Sequence, residues 1–187
     1  MFVVILFLEL NKTLTNMKNL KVNTGSIMPS PALLVSCRSK EGKNNALAVG
    51  FASNVSINPQ LVMVGIVPTH YSHQLIEQSG EFVVNFPKAD YMKEYLFLGS
   101  KSGKDMDKFA EMNIKWKDGD VVNAPILTDC AVALECKVVA SERPANSDHT
   151  VFYGTIVAVH CKDEYVKEKG TIDWKKIPLL SNFDLLP

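Results

Sequence analysis

The chain has 187 residues, 47% of them hydrophobic, enough for one domain with a real core but not comfortably for two. Its 20 basic and 20 acidic side chains cancel and are mixed along the sequence, so no basic stripe supports binding to nucleic acid or an anionic membrane. Any anionic ligand must be met by local donors.

The amino terminus begins with an apolar run of eight residues that stops at Glu9, too short to span a bilayer. It lacks a leading positive charge and a small-residue cleavage site, so a signal peptide fits poorly. Met17, followed by "KNLKVNTG", makes an ordinary start. Residues 1–16 are therefore expected to be an N-terminal extension, either an added strand or an over-extended gene start, ahead of one domain at 17–187.

Strand patterns dominate the rest of the chain. "ALLVSCR" (32–38) and "NALAVGFAS" (45–53) flank a polar hairpin, and "LVMVGIV" (61–67) and "EFVVNF" (81–86) come next. "CAVALECKVV" (130–139) alternates, with Val132, Leu134, Cys136 and Val138 on one face and Ala133, Glu135 and Lys137 on the other. "TVFYGTIVAVH" (150–160) is the sixth run. Six such runs between turn signals predict a mainly β barrel or sandwich rather than a doubly wound sheet. Short helices are expected at 71–79, stopped by Gly80, at 89–98, ending at Gly99, and at 104–112. Gly154 inside the last strand marks either a barrel corner or the close approach of a ligand. Cys37, Cys130, Cys136 and Cys161 form no CxxC pair and read as buried thiols of a reducing compartment, not as a disulfide framework or zinc site.

Two polar stretches stand out. Asn45 and Ala46, then Ser53, Asn54, Val55 and Ser56 ahead of Asn58-Pro59, offer donors and acceptors that suit an edge-polar planar ring or phosphate oxygens. The same residues are also good turn formers. In "PTHYSHQLIEQSG" (68–80), Thr69 or Ser72 can cap the following helix, whose first N–H groups carry partial positive charge and suit an anion. His70 and His73 are too few for a metal site, and none is expected. There is no G-x-S-x-G elbow and no G-x-G-x-x-G after a strand. Asp148 and His149 stand at a strand entrance, where His149 could meet an anionic or aromatic ligand.

The succession "MPSPALLVSCRSKEGKNNALAVGFASNVSINPQLVMVGI", "THYSHQLIEQSGEFVVNFP", "GKDMDKF", "APILTDCAVALECKV" and "DHTVFYGTIVAV" resembles the flavin reductase-like family from about Ile27 to Leu186. The resemblance implies an FMN-binding split β-barrel, six-stranded and Greek-key-like with a few short helices. It also implies a homodimer with one flavin per subunit near the interface, and FMN rather than FAD. Carried across, Asn45, Ala46, Ser53, Asn54, Val55 and Ser56 lie along the isoalloxazine and ribityl chain. Thr69, His70, Tyr71 and Ser72 hold the phosphate, and His149 lies where nicotinamide or an acceptor approaches. No general acid is assigned. Many relatives place Arg or Lys near the phosphate turn, whereas "PTHYSHQ" offers only histidines, so tighter FMN binding on acidification is expected. The implied activity is that of a cytoplasmic oxidoreductase passing electrons from NAD(P)H to flavin, another small acceptor or a redox protein. A non-enzymatic flavoredoxin-like electron carrier is the alternative.

Overall fold

The structure, a computed structural model, describes residues 30–181 together with Asn19, Lys21 and Met28. The expected extension at 1–16 lies outside the described residues. Nine strands and three short α-helices follow in chain order among them. β1 (Leu33–Arg38) and β2 (Asn44–Val49) form an antiparallel hairpin, its turn closed by the Ser39 N–H bonding to the Lys43 carbonyl at 2.9 Å. β3 (Ala52–Ser56) and β4 (Leu61–Ile66) form a second pair. Then come α1 (Tyr71–Ser79), β5 (Glu81–Phe86), α2 (Met92–Ser100) and α3 (Lys108–Glu111). β6 (Trp116–Asp118), β7 (Pro125–Leu127), β8 (Val132–Glu142) and β9 (Thr150–Cys161) complete the set.

Seven strands make one antiparallel sheet in the order β2-β1-β5-β8-β9-β4-β3. Its two edges, β2 and β3, are consecutive strands separated only by Gly50 and Phe51. A connection that short forces the sheet to curl until its edges meet. Because β2 and β3 do not pair with each other, the barrel stays split along that seam. The main sheet thus has seven strands where six were expected, because the run at 45–53 is two strands bent at Gly50–Phe51.

The barrel interior takes one face of each strand, with Val35, Cys37, Val64, Phe82, Cys136 and Phe152 at its centre and Leu75 and Ile76 of α1 across one end. The outer face is covered too. Leu34 and Ala46 pack against Tyr91, Tyr95 and Leu98 around α2 and against Phe109 of α3. Val83 and Ala133 pack beneath Val122, Ala124 and Ile126 of the β6–β7 hairpin. Burial on both faces explains why these strands read as nearly continuous apolar runs.

Three local expectations change. The segment 89–98 divides into a 3₁₀ turn, Ala89–Tyr91, and α2, which runs through Gly99 until the Lys101 N–H bonds back to Phe97 O at 3.1 Å. The third helix shrinks to four residues, because Asp107 caps it by accepting from the Phe109 and Ala110 N–H groups at 3.0 and 3.1 Å. Glu135, on the face of β8 that alternation gives to Ala133 and Lys137, is fully buried under the β6–β7 loop. Its carboxylate accepts from the N–H groups of Asp120, Val121 and Val122 at 3.0, 2.8 and 2.7 Å and from His160 Nε2 at 2.6 Å.

Gly80 takes the left-handed conformation, φ 68°, just past α1, where its N–H bonds to Ile76 O at 2.8 Å. Gly154 stands where β8 shifts register, opposite Val138 and just before the bulge that precedes Ala140. A Cβ there would fall 2.6 Å from Phe82 Cζ and 3.0 Å from Cys136 Cβ, so its absence makes room for the Phe82 ring. Near the end of the described chain, Leu180 covers the chain's own outer core; residues 182–187 lie outside the described residues.

Candidate functional site

A cavity of about 210 Å³ opens where the start of β2, the start of α1 and the loop after α2 converge. Asn45, Thr69, His70, Tyr71 and Ser72 line it, so five of the residues singled out in the sequence come together there. Asn45 sits at the second position of β2, 2% exposed, and its Nδ2 donates to Ser72 Oγ at 2.6 Å. Its Oδ1 is buried without a hydrogen-bond partner. Gly103 packs against that oxygen so closely that a Cβ would strike it.

Neither Thr69 nor Ser72 caps α1. The N-cap is His70, with extended backbone (φ −70°, ψ 139°) and no side-chain hydrogen bond to the first turn. Ser72 is turned instead toward Asn45. The His73 N–H bonds back to the His70 carbonyl at 3.1 Å. The first two amides of α1, those of Tyr71 and Ser72, are therefore left to whatever occupies the cavity, with the positive end of the helix dipole behind them. Burial pulls the His70 pKa below its ordinary value, and the neighbouring positive charges of His149 and Lys108 pull it further. His70 is thus neutral at physiological pH.

The cationic side of the cavity is lysine, which the turn "PTHYSHQ" does not reveal. Lys101 and the buried Lys108 line it with Ser100 and Ser102. Lys43 stands at its rim, donating to the Gly103 carbonyl at 2.5 Å, 5.7 Å above the Tyr71 ring. The turn itself offers only histidines, and the lysines reach the cavity from other segments of the chain. The signal was present in "LGSKSGKD" (98–105), a Gly-Ser-Lys run between two helices, but only the fold brings it beside Asn45.

Ala46 and the second polar stretch are placed differently. The Ala46 side chain is buried in the outer core, while its carbonyl accepts from Lys108 Nζ. Ser53, Asn54 and Val55 are exposed along β3, and Val55 is the extra residue of a bulge between Asn54 and Ser56. Ser53 and Asn54 border a separate apolar cleft of about 90 Å³ with Leu33, Val62 and Met63. Just before β3, the Phe51 carbonyl accepts the Gly65 N–H at 2.8 Å, and His149 lies edge-on to the Phe51 ring at 4.7 Å. His149 Nδ1 is 2.7 Å from Asp148 Oδ1, and that hydrogen bond holds the Asp148 pKa below its ordinary value. β3 follows Phe51 directly, and its five residues extend about 13 Å.

Among the described residues the one cluster with the reach of metal ligands is Asp120, Glu135 and His160, on the opposite face of β8 from the barrel interior. Glu135 already accepts four hydrogen bonds there, which leaves its oxygens committed.

Comparison with known proteins gives this geometry a family. The flavin reductase like domain matches residues 24–181. The chain belongs to the flavin reductase-like family. An uncharacterized protein of Archaeoglobus fulgidus is 32% identical over 133 residues, covering 71% of this chain and 74% of that protein. The NADH:riboflavin 5'-phosphate oxidoreductase of Streptomyces pristinaespiralis is 29% identical over 136 residues, 73% of each chain. Among solved structures, the flavoredoxin of Methanosarcina acetivorans superposes with a TM-score of 0.79 at 32% identity, over 88% of this chain and 86% of that one. The flavoredoxin of Desulfovibrio vulgaris (Miyazaki F) gives 0.78 at 25% identity, over 86% and 85%. A protein of Shewanella frigidimarina with a split barrel domain superposes with a TM-score of 0.77 at 20% identity, over 87% of this chain and 85% of that one, and shares the architecture described above. No helix among the described residues is long and apolar enough to cross a membrane.

Proposed function

We propose that this protein is an FMN-binding oxidoreductase that takes electrons from NAD(P)H and passes them to flavin or another small acceptor. The observation that carries this is the mixed demand of the cavity. Uncapped α1 amides and Lys101 call for an anion, while the orphaned Asn45 Oδ1 calls for a hydroxyl or N–H donor. A phosphorylated polyol, the tail of FMN, offers both within one molecule. In this reading Thr69, His70, Tyr71 and Ser72 hold the phosphate, and Asn45 and the Ala46 main chain border the ribityl chain. The ring lies toward β3, along Ser53, Asn54, Val55 and Ser56, with His149 beside its reactive edge.

Bound FMN supplies a two-electron acceptor that can release electrons singly or in pairs. The chain's own part is to orient it, exclude water from one side and offer hydrogen bonds to its polar edge. The exposed β3 edge, with Val55 43% and Ile57 90% accessible, supports a homodimer that covers the ring from a second copy. Four free cysteines suit a reducing, cytoplasmic setting.

The flavoredoxin matches favour a second reading, an electron carrier reduced only by a partner protein. Anaerobic addition of NADH and then NADPH to the FMN-loaded protein separates the two. Bleaching of the flavin by either nucleotide supports the oxidoreductase. Flavin that ignores both but is bleached by dithionite rejects it in favour of the carrier.

A further inference from the structure

Lys108 is 2% exposed, at the first position of α3. Its ammonium has three protons and meets three main-chain carbonyls: Ala46 O, Leu98 O at 2.9 Å and Lys101 O at 3.1 Å. Those carbonyls belong to β2 next to Asn45, to the end of α2, and to the loop that forms the far wall of the cavity. One side chain thus ties together the three pieces of backbone that shape the site. No donor is left over for a ligand. Among the described residues no carboxylate pairs with this ammonium either, although a buried cation without a counter-charge is costly. The cavity that Lys108 borders is where that counter-charge fits.

We propose that Lys108 is the positioning residue of the site: it fixes the wall formed by Leu98 to Gly103 and supplies the buried charge that makes the cavity choose a phosphorylated flavin over its neutral form. This rests on the FMN reading above and deepens it. Lys108 touches no reacting atom. It acts through the placement of Lys101 and Ser102 and through its field.

The titratable groups around the ammonium are few. The Cys37 thiol of β1 is pushed up to about 12 by burial and stays neutral. His70, before α1, has its pKa lowered and is neutral above the imidazole range. Asp107, adjacent in the chain, spends its carboxylate capping α3. Burial lowers the pKa of Lys108 itself to about 8. Its charge is present below that pH and lost above it, whereas any effect of His70 falls at lower pH.

The test is equilibrium binding of FMN and of riboflavin to the flavin-free, full-length protein, compared as a ratio so that ionisation of the ring, common to both, cancels. Wild type is expected to prefer FMN below about pH 8, and that preference is expected to fall by about tenfold above it, the worth of about one pK unit of differential interaction. Lys108→Met, which keeps the apolar stem, is expected to show the reduced preference already at neutral pH and a flat profile. Equal loss of both ligands in Lys108→Met means a merely structural role and overturns the proposal. So does an unchanged ratio. If the variant does not fold, the wild-type profile decides alone, and a ratio that stays flat through pH 8 overturns the proposal. Wild type that takes up neither flavin overturns the FMN reading itself, a different failure from these.

Discussion

Replacing Gly154 by alanine places a methyl group 2.6 Å from Phe82 Cζ, 2.9 Å from Phe82 Cε1 and 3.0 Å from Cys136 Cβ. Phe82 and Cys136 are both 0% exposed, so neither has open space to retreat into. β9 is held on both sides, by β4 and β8, which prevents the backbone from simply backing away. Overpacking of this kind costs about 1–3 kcal/mol. For a chain of this size that is a fall in Tm of about 2–4 °C per kcal/mol. The assay is thermal or urea unfolding of wild type, Gly154→Ala, Phe82→Leu and the double variant. If the glycine exists to seat the Phe82 ring, removing the ring relieves the clash, and the two changes couple by at least about 0.5 kcal/mol. Flavin affinity should change little, since Gly154 faces the barrel interior. Gly154→Ala with unaltered stability but lost flavin binding would refute the packing argument and restore the idea of a ligand against β9.

Three further outcomes are expected. Ser72→Ala removes the partner of Asn45 Nδ2 and should weaken FMN binding by about 1 kcal/mol, roughly fivefold, in a fluorescence titration while leaving Tm within a few degrees. Because the His70 pKa is lowered, its cation forms only below the ordinary imidazole value of 6.5. FMN affinity of wild type relative to His70→Gln should therefore rise only as pH falls below that value, and a difference that peaks at neutral pH would contradict the assignment. Burial pushes the Glu135 carboxyl upward, but hydrogen bonds from His160 and the N–H groups of Val122, Val121 and Asp120 outweigh this and hold it below its ordinary 4.5. Its stabilising effect is thus complete above pH 4.5 and lost as pH falls through the lowered value. Glu135→Gln should cost about 2 kcal/mol at neutral pH, read by urea unfolding, with FMN binding intact.

β5 and α1 keep the boundaries that their patterns predict, because an apolar run bounded by Phe-Pro and a helix ended by glycine are local signals. β6 and β7 escape the pattern for the converse reason. Three residues each, they are strands only because Trp116 and Leu127 pair. The burial of Glu135 is not legible either, because alternation along β8 says which face a residue takes, not what covers that face. The same limit applies at the site. Asn45, Thr69, His70, Tyr71 and Ser72 are legible as polar groups beside a strand and a helix start. Lys101 and Lys108, more than 50 residues along from Asn45, look like surface lysines until α2 and α3 fold across β2. The bend at Gly50–Phe51 is hidden in an unbroken apolar run, and it decides that Ser53 to Ser56 leave the cavity instead of lining it.

The most direct measurement is titration of FMN into the flavin-free protein, followed by flavin fluorescence, in wild type and in Lys101→Met. Saturable binding of one FMN per chain, weakened by the loss of Lys101, is the result predicted for a phosphate seated at the start of α1. Absence of saturable binding, or binding indifferent to Lys101, would contradict the placement of FMN in this cavity.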